Sequence, residues 1–286
     1  MIASGWKDYE VIASGGGEKL ERWGSVILLR PDPQAIWRAQ FDLSKYEGLH
    51  ARYSRSSSGG GYWERYRDMP EEWKISYGDL KFAIKPMGFK HTGLFPEQAS
   101  NWDAMRELIR KAKREIKVLN LFAYTGGATV ALSKEGAFVT HVDAARGMVD
   151  RAKENCALSG IATDKVRYIV DDCAKFVTRE IKRGKRYDAV IMDPPSFGRG
   201  PNGETWKLED SIHDLVTLSA KVLSDDPLFF LINSYTTGLS ARVMQNVLAL
   251  ALPKGKTEGW ELELPTREDG IVLPCGNSAI WTPRKK

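Results

Sequence analysis

The sequence predicts a chain of the α/β class, with a parallel sheet wound by helices behind a small β-rich N-terminal domain. Two observations carry this. Beyond Asn101, short apolar runs alternate with amphipathic stretches long enough for helical crossovers, the pattern of right-handed βαβ units. Before about residue 80 the chain is instead rich in Gly, Ser, Trp and Tyr, and its apolar runs are short. The expected domains are residues 1–80, small and β-rich, and residues 81–286, the larger α/β unit.

Taken in order, Ser25–Leu29 is a short apolar run stopped by Pro31 and Pro33. Ser54–Gly61 is low in complexity and reads as a mobile loop. Lys81–Ile84 reads as a strand before a turn at Pro86–Gly88. Trp102, Met105, Leu108, Ile109 and Ala112 then recur at helical spacing. Strands are expected at Val118–Phe122, Phe138–Val142, Val166–Val170, Ala189–Met192 and Leu228–Ile232. Helices are expected at Ala128–Lys134, Gly147–Leu158, Ala174–Arg183, Glu209–Leu223 and Ser240–Leu250. Trp260–Leu264 and Ala279–Trp281 have no helix between them, so they should pair as an antiparallel hairpin at one sheet edge.

Composition narrows the function classes. With 286 residues and 42% hydrophobic content, the chain can bury a core without staples. No apolar run approaches the roughly 18 residues of a membrane span, and MIASGWKDYE lacks the form of a secretory signal. Cys156, Cys173 and Cys275 are far apart and form no CxxC pair, which points to no disulfide framework and to a reducing cytoplasm. His50, His91, His141 and His213 show no metal spacing, so no metal is expected. The net charge of +5 permits a polyanionic partner without requiring one. The basic runs Arg110–Lys117 and Arg179–Arg186 read first as solvated helix ends and loops.

Ligands of an open α/β sheet sit at the carboxyl ends of its strands, and four features fall there. Asn120–Ala128 runs from a strand through Thr125-Gly126-Gly127 into a helix; it is either a ligand-approaching turn or a plain strand–helix turn. Asp143 ends the next strand, placed to accept both hydroxyls of a ribose or to cap the helix near Gly147. Asp171-Asp172-Cys173 ends the third strand, where a carboxylate can accept from an adenine amine or cap the helix from Ala174. The turn at Thr125–Ala128 lacks the G-x-G-x-x-G pattern of a pyrophosphate site, so a phosphate-free adenosine cofactor fits better than a dinucleotide. Asp193-Pro194-Pro195-Ser196-Phe197 ends the fourth strand. Its prolines stiffen the backbone, and Phe197 can stack on a flat acceptor base; the plain alternative is a rigid loop. Trp206 and Lys207 can line a substrate channel and Arg199 can meet a phosphate, or the segment is an exposed loop.

Asn120–Gly127, Val142–Asp143, Asp171–Asp172 and Asp193–Phe197 resemble the motifs of class I S-adenosylmethionine (SAM)-dependent methyltransferases. With Thr92–Gln98 added, the chain resembles more narrowly the bacterial group that contains the large-subunit ribosomal RNA methyltransferases. The resemblance covers roughly residues 88–250 and implies a Rossmann-like seven-stranded methyltransferase sheet in residues 81–286. It implies SAM as cofactor, held by Asn120, Phe122, Ala123, Tyr124, Thr125, Gly126, Gly127, Asp143, Ala144, Asp171, Asp172 and Asp193. A segment like Gly93–Gln98 packs over the cofactor in that group, which adds Phe95 and Gln98. Asp193, Pro194, Pro195 and Phe197 become the catalytic set, with RNA, ribosomal by preference, as substrate and partner.

Two departures matter. Relatives that methylate cytosine C5 attack with a cysteine after the fifth strand, where this chain reads Ile232-Asn-Ser-Tyr-Thr-Thr-Gly238. Direct in-line transfer without a covalent cysteine intermediate is therefore expected. The RNA-binding domain common at the N-terminus of that group is not recognisable in Met1–Asp79. The alternatives are a methyltransferase acting on a protein or small molecule, a non-catalytic RNA-binding protein, and a nicotinamide-dependent oxidoreductase, which the absent pyrophosphate turn disfavours.

Overall fold

The computed structural model describes residues 1–56, 60–88, 90–199 and 205–284. The chain divides into two compact units, Met1–Ser100 with Leu262–Cys275, and Asn101–Glu261 with Gly276–Lys286.

The first unit is built on a five-stranded sheet, ordered β1 (Tyr9–Gly15), β2 (Glu18–Trp23), β3 (Val26–Pro31), β4 (Ala51–Arg55) and β5 (Gly61–Arg65). Neighbours run antiparallel except β3 and β4, which pair in parallel through Leu28↔Ala51 and Leu29↔Arg52. A separate hairpin joins β6 (Trp73–Tyr77) to β7 (Leu80–Ile84), with Tyr77 opposite Leu80. The two-residue turn between them needs a positive φ, and Gly78 supplies it at 56°. Ile12, Ala13, Leu20, Leu29, Leu43 and Leu49 form an apolar cluster. Glu21 is fully buried and is paid for by its partners: Arg30 donates from Nε at 2.6 Å and Nη2 at 2.8 Å, and the Tyr9 hydroxyl donates at 2.6 Å.

The second unit holds the seven-stranded sheet, ordered β10-β9-β8-β11-β14-β16-β15, except for residues 262–265 and 272–275 of its last two strands, which are counted in the first unit. Its strands are β8 (Lys117–Leu121), β9 (Phe138–Asp143), β10 (Val166–Val170), β11 (Ala189–Met192), β14 (Phe229–Ser234), β15 (Gly255–Pro265) and β16 (Val272–Pro283). A small hairpin, β12 (Phe197–Arg199) with β13 (Thr205–Lys207), rises after β11. The helices are α1 (Ala99–Ala112), α2 (Gly127–Lys134), α3 (Arg146–Leu158), α4 (Cys173–Lys182), α5 (Leu208–Ala220) and α6 (Ala241–Ala251). β8–β11 and β14 form the parallel part of the sheet, and β16 runs antiparallel to β14. Every residue of β11 and β14 is buried, as expected of central strands covered by helices. Val190, Met192, Phe230 and Ile232 share one core with Phe176, Val216 and Leu248.

The predicted sheet is observed, and Val166–Val170 and Ala189–Met192 match to the residue. The last two predicted runs are the C-terminal parts of longer strands, because strand structure begins before their apolar stretches. Ser54–Gly61 lies partly outside the described residues. Among the described residues no helix is long and apolar enough to cross a membrane.

Candidate active site

In the second unit the chain leaves β8 toward β9 and β10 on one side and returns to β11 on the other, so the strand order reverses between β8 and β11. Loops diverge at such a point and leave a crevice at the carboxyl ends of the strands. The turn after β8 is unusual for its backbone. Phe122 and Tyr124 have φ of 55° and 51°, and Gly126 has 83°. For a non-glycine residue this conformation costs about 1–2 kcal/mol.

Neighbouring strands hold the turn in place. Phe122 N–H donates to Cys173 Sγ at 3.2 Å, Ala123 N–H to Val142 O at 3.0 Å, and Tyr124 N–H to Asp143 Oδ2 at 2.9 Å. Asn155 Nδ2 donates to Thr125 O at 2.9 Å in a buried contact. The glycines of this turn also have a packing role. A Cβ on Gly126 would lie 2.8 Å from Ala152 Cβ, and one on Gly127 would lie 2.7 Å from Trp102 Cζ2. The glycines admit α3 and α1 against the turn. Asn120 is buried, and its amide donates to Thr129 Oγ1 at 3.0 Å, itself 2.9 Å from His141 Nδ1. It supports the turn from below.

Asp143 accepts from two backbone N–H groups, Tyr124 at Oδ2 and Ala145 at Oδ1, the latter at 2.8 Å. It does not cap α3, whose N-cap is Ala145. The side chain is thus fixed at the strand end, half-buried, beside exposed Ala144. The next loop separates its two acids. Asp172 is the N-cap of α4 and accepts from Lys175 N–H at 2.8 Å, while Asp171 is ion-paired with Arg179. A carboxylate with one oxygen in a cap keeps acceptor capacity on the other, so capping and ligand binding at Asp172 are compatible.

After β11, Asp193 is half-buried, Pro194 buried and Pro195 exposed. The Pro195 carbonyl accepts from Trp206 Nε1 at 2.8 Å, within the loop. Ser196 Oγ accepts from Thr236 Oγ1 at 2.7 Å, which ties this loop to the end of β14. Phe197 opens β12 opposite Lys207 and is 54% exposed. Trp206, on the paired strand, has its ring 6.4 Å from that of Phe122 and so links the loops after β8 and β11. The sequence marked Trp206 only as a channel residue; its bond to Pro195 spans the hairpin and has no local signal. The Arg199 side chain and residues 200–204 lie outside the described residues. Phe95 and Gln98 belong to the first unit.

None of the three cysteines is an activated nucleophile. Burial pushes the Cys173 thiol up to about 12 and raises those of Cys156 and Cys275. Among the described residues no group of His, Cys, Asp and Glu could hold a metal ion.

A family model described as S-adenosylmethionine-dependent methyltransferase matches residues 35–234. The crystal structure of the SAM dependent methyltransferase from Agrobacterium tumefaciens is similar, with a TM-score of 0.91 and 33% identity, covering 98% of this chain and 92% of that one. Ribosomal RNA large subunit methyltransferase K of Neisseria meningitidis is 24% identical over 224 residues, 75% of this chain and 62% of its own. Ribosomal RNA large subunit methyltransferase K/L of Shewanella pealeana is 34% identical over 158 residues, 55% of this chain and 20% of its own. The chain spans less than two thirds of the length of these two curated relatives.

Proposed function

The chain belongs to the S-adenosylmethionine-dependent methyltransferase family, and from that premise we propose that it methylates a base of RNA, ribosomal by preference, by direct in-line transfer. The enzyme class and the cofactor follow from the family. The acceptor and the residue roles are our reading, and the RNA methyltransferases of Neisseria and Shewanella support it.

The donor set of the second unit fits SAM. Asp143, fixed by two N–H groups, would accept from the ribose hydroxyls. Asp172 would accept from the adenine amine, and the Phe122–Gly127 turn would hold the methionine end. The domain division is proposed in the same terms, with residues 81–286 as the methyltransferase domain and residues 1–80 preceding it. Phe95 and Gln98 are proposed as further cofactor contacts.

Bound SAM supplies an electrophilic methyl group on a sulfonium that becomes neutral as the methyl leaves. The remaining task for the chain is alignment. Asp193 and Pro194 would set the edge of the acceptor and Phe197 its face. A cysteine adduct is not used, because Cys156 and Cys173 are buried and all three thiols are raised above their ordinary value. The observation that carries the acceptor side is Phe197, an aromatic ring 54% exposed just after the two prolines at the switch point.

Phe197→Ala tests this. Because the ring is exposed, the variant should keep its melting temperature and its SAM affinity. It should lose roughly 1–3 kcal/mol of acceptor binding, the range for a stacked base. Wild-type turnover in a stable Phe197→Ala protein would remove the stacking role.

A further inference from the structure

Residues 165–186 contain eight Lys and Arg against three Asp and Glu. This segment therefore carries +5, the whole formal excess of the chain, and the other 264 residues balance. The segment is β10, at the edge of the seven-stranded sheet, together with α4 and the turn that follows it.

Its geometry gathers the charge on one surface. Lys175, Arg179 and Lys182 recur at i, i+4 and i+7 along α4, and Phe176, Val177 and Glu180 form the buried face. Arg183 closes the helix, Gly184 follows at φ 63°, and the next two residues, Lys185 and Arg186, are exposed. Arg183 and one further arginine, Arg167, share a buried partner. Glu180 is fully buried and accepts from Arg167 of β10 at 3.3 Å and from Arg183 at 3.1 Å, while the Tyr187 hydroxyl donates to it at 2.6 Å. One buried acid thus clamps two half-exposed guanidinium groups, which keeps them ordered and leaves the cluster net positive. Helix-dipole complementarity explains cations in the last turn. It does not explain Lys175 in the first turn, where the dipole disfavours a cation, or the pair beyond the helix end.

The stripe starts three residues after Asp172 and extends about 12 Å to Arg183, at the α-helical rise. We propose that it binds the phosphate backbone of the RNA substrate outside the active site, as a sequence-independent grip. This rests on the RNA reading above. The charge sign, the spread of cations along one face and the start beside the candidate cofactor loop favour an extended polyanion.

The test is anisotropy of a fluorescein-labelled RNA oligonucleotide across a salt series. It compares wild type, the triple variant Lys182→Ala/Lys185→Ala/Arg186→Ala, and the charge-keeping Lys182→Arg/Lys185→Arg/Arg186→Lys. The alanine variant should bind about tenfold more weakly near ~0.1 M salt, and its log–log salt slope should be shallower by about 2, from about 0.7 per lost phosphate contact. The charge-keeping variant should bind as wild type, and SAM affinity should be equal in all three. If wild type binds and methylates RNA while the alanine variant keeps the wild-type affinity and slope, the stripe is overturned and the RNA reading stands. If wild type does not bind RNA, or binds polyglutamate more tightly, both readings fall.

Discussion

At Asp143 the backbone does the positioning. Its two oxygens take N–H bonds from Tyr124 and Ala145, so the carboxylate is held at the end of β9 before any ligand arrives. Such preorganisation spares a side chain the entropy of being ordered on binding. Asp143→Ala should weaken SAM binding by about 1.5–3 kcal/mol, the range for hydrogen bonds to a charged group, as read by calorimetry. Unchanged affinity in a folded variant would confine Asp143 to holding the turn. The place of this residue at the end of the strand after the glycine turn was readable from the sequence. Its two backbone ties were not, because they depend on the positive φ of Tyr124, a residue whose type gives no hint of that conformation.

The same contrast appears at the element level. β11, buried throughout, writes itself as a short apolar run and was legible to the residue, and the edge strand β10 was equally legible from its β-branched and aromatic residues. The small hairpin β12–β13 was not, since its strands are three residues each and polar in part. The turn after β8 was legible as a glycine turn, but the reason for its glycines was not. Their missing Cβ atoms face Ala152 and Trp102, partners distant in sequence. Gly126→Ala should therefore destabilise the protein by roughly 2–5 kcal/mol, combining a left-handed φ with an overlap against α3. SAM affinity should fall with it. A Gly126→Ala protein with the wild-type melting temperature would show that the turn relaxes freely.

Over the whole molecule, each unit buries an acid fully and pairs it with arginine: Glu180 with Arg167 and Arg183 in the second, Glu21 with Arg30 in the first. Burial alone would raise the Glu21 carboxyl, but the charges of Arg30 and Lys19 override it and hold it near 2. A depressed acid contributes stability that is present above its unfolded value, about 4.5, and is lost as pH falls toward 2. Glu21→Gln should cost about 3–5 kcal/mol at neutral pH by stranding buried Arg30. In urea titrations its gap to wild type should narrow below about pH 4.5; a gap independent of pH would refute the ion pair's role. No sequence pattern announced this cluster, because Glu21 and Arg30 sit on different strands and meet only through the β2–β3 pairing. The return of residues 262–275 to the first unit was equally hidden, being set by long-range contacts.

The central claim joins an RNA acceptor to the loops after β8 and β11, and labelled methyl transfer tests it most directly. Purified protein would be given SAM with a labelled methyl group and RNA extracted from a strain deleted for this protein, against RNA from the wild-type strain. The account predicts label in one nucleoside of the deletion-strain RNA, little in the wild-type RNA, and near-complete loss with Asp193→Ala. Equal background label in both RNAs, with efficient transfer to protein or small molecules from the same extract, would contradict it.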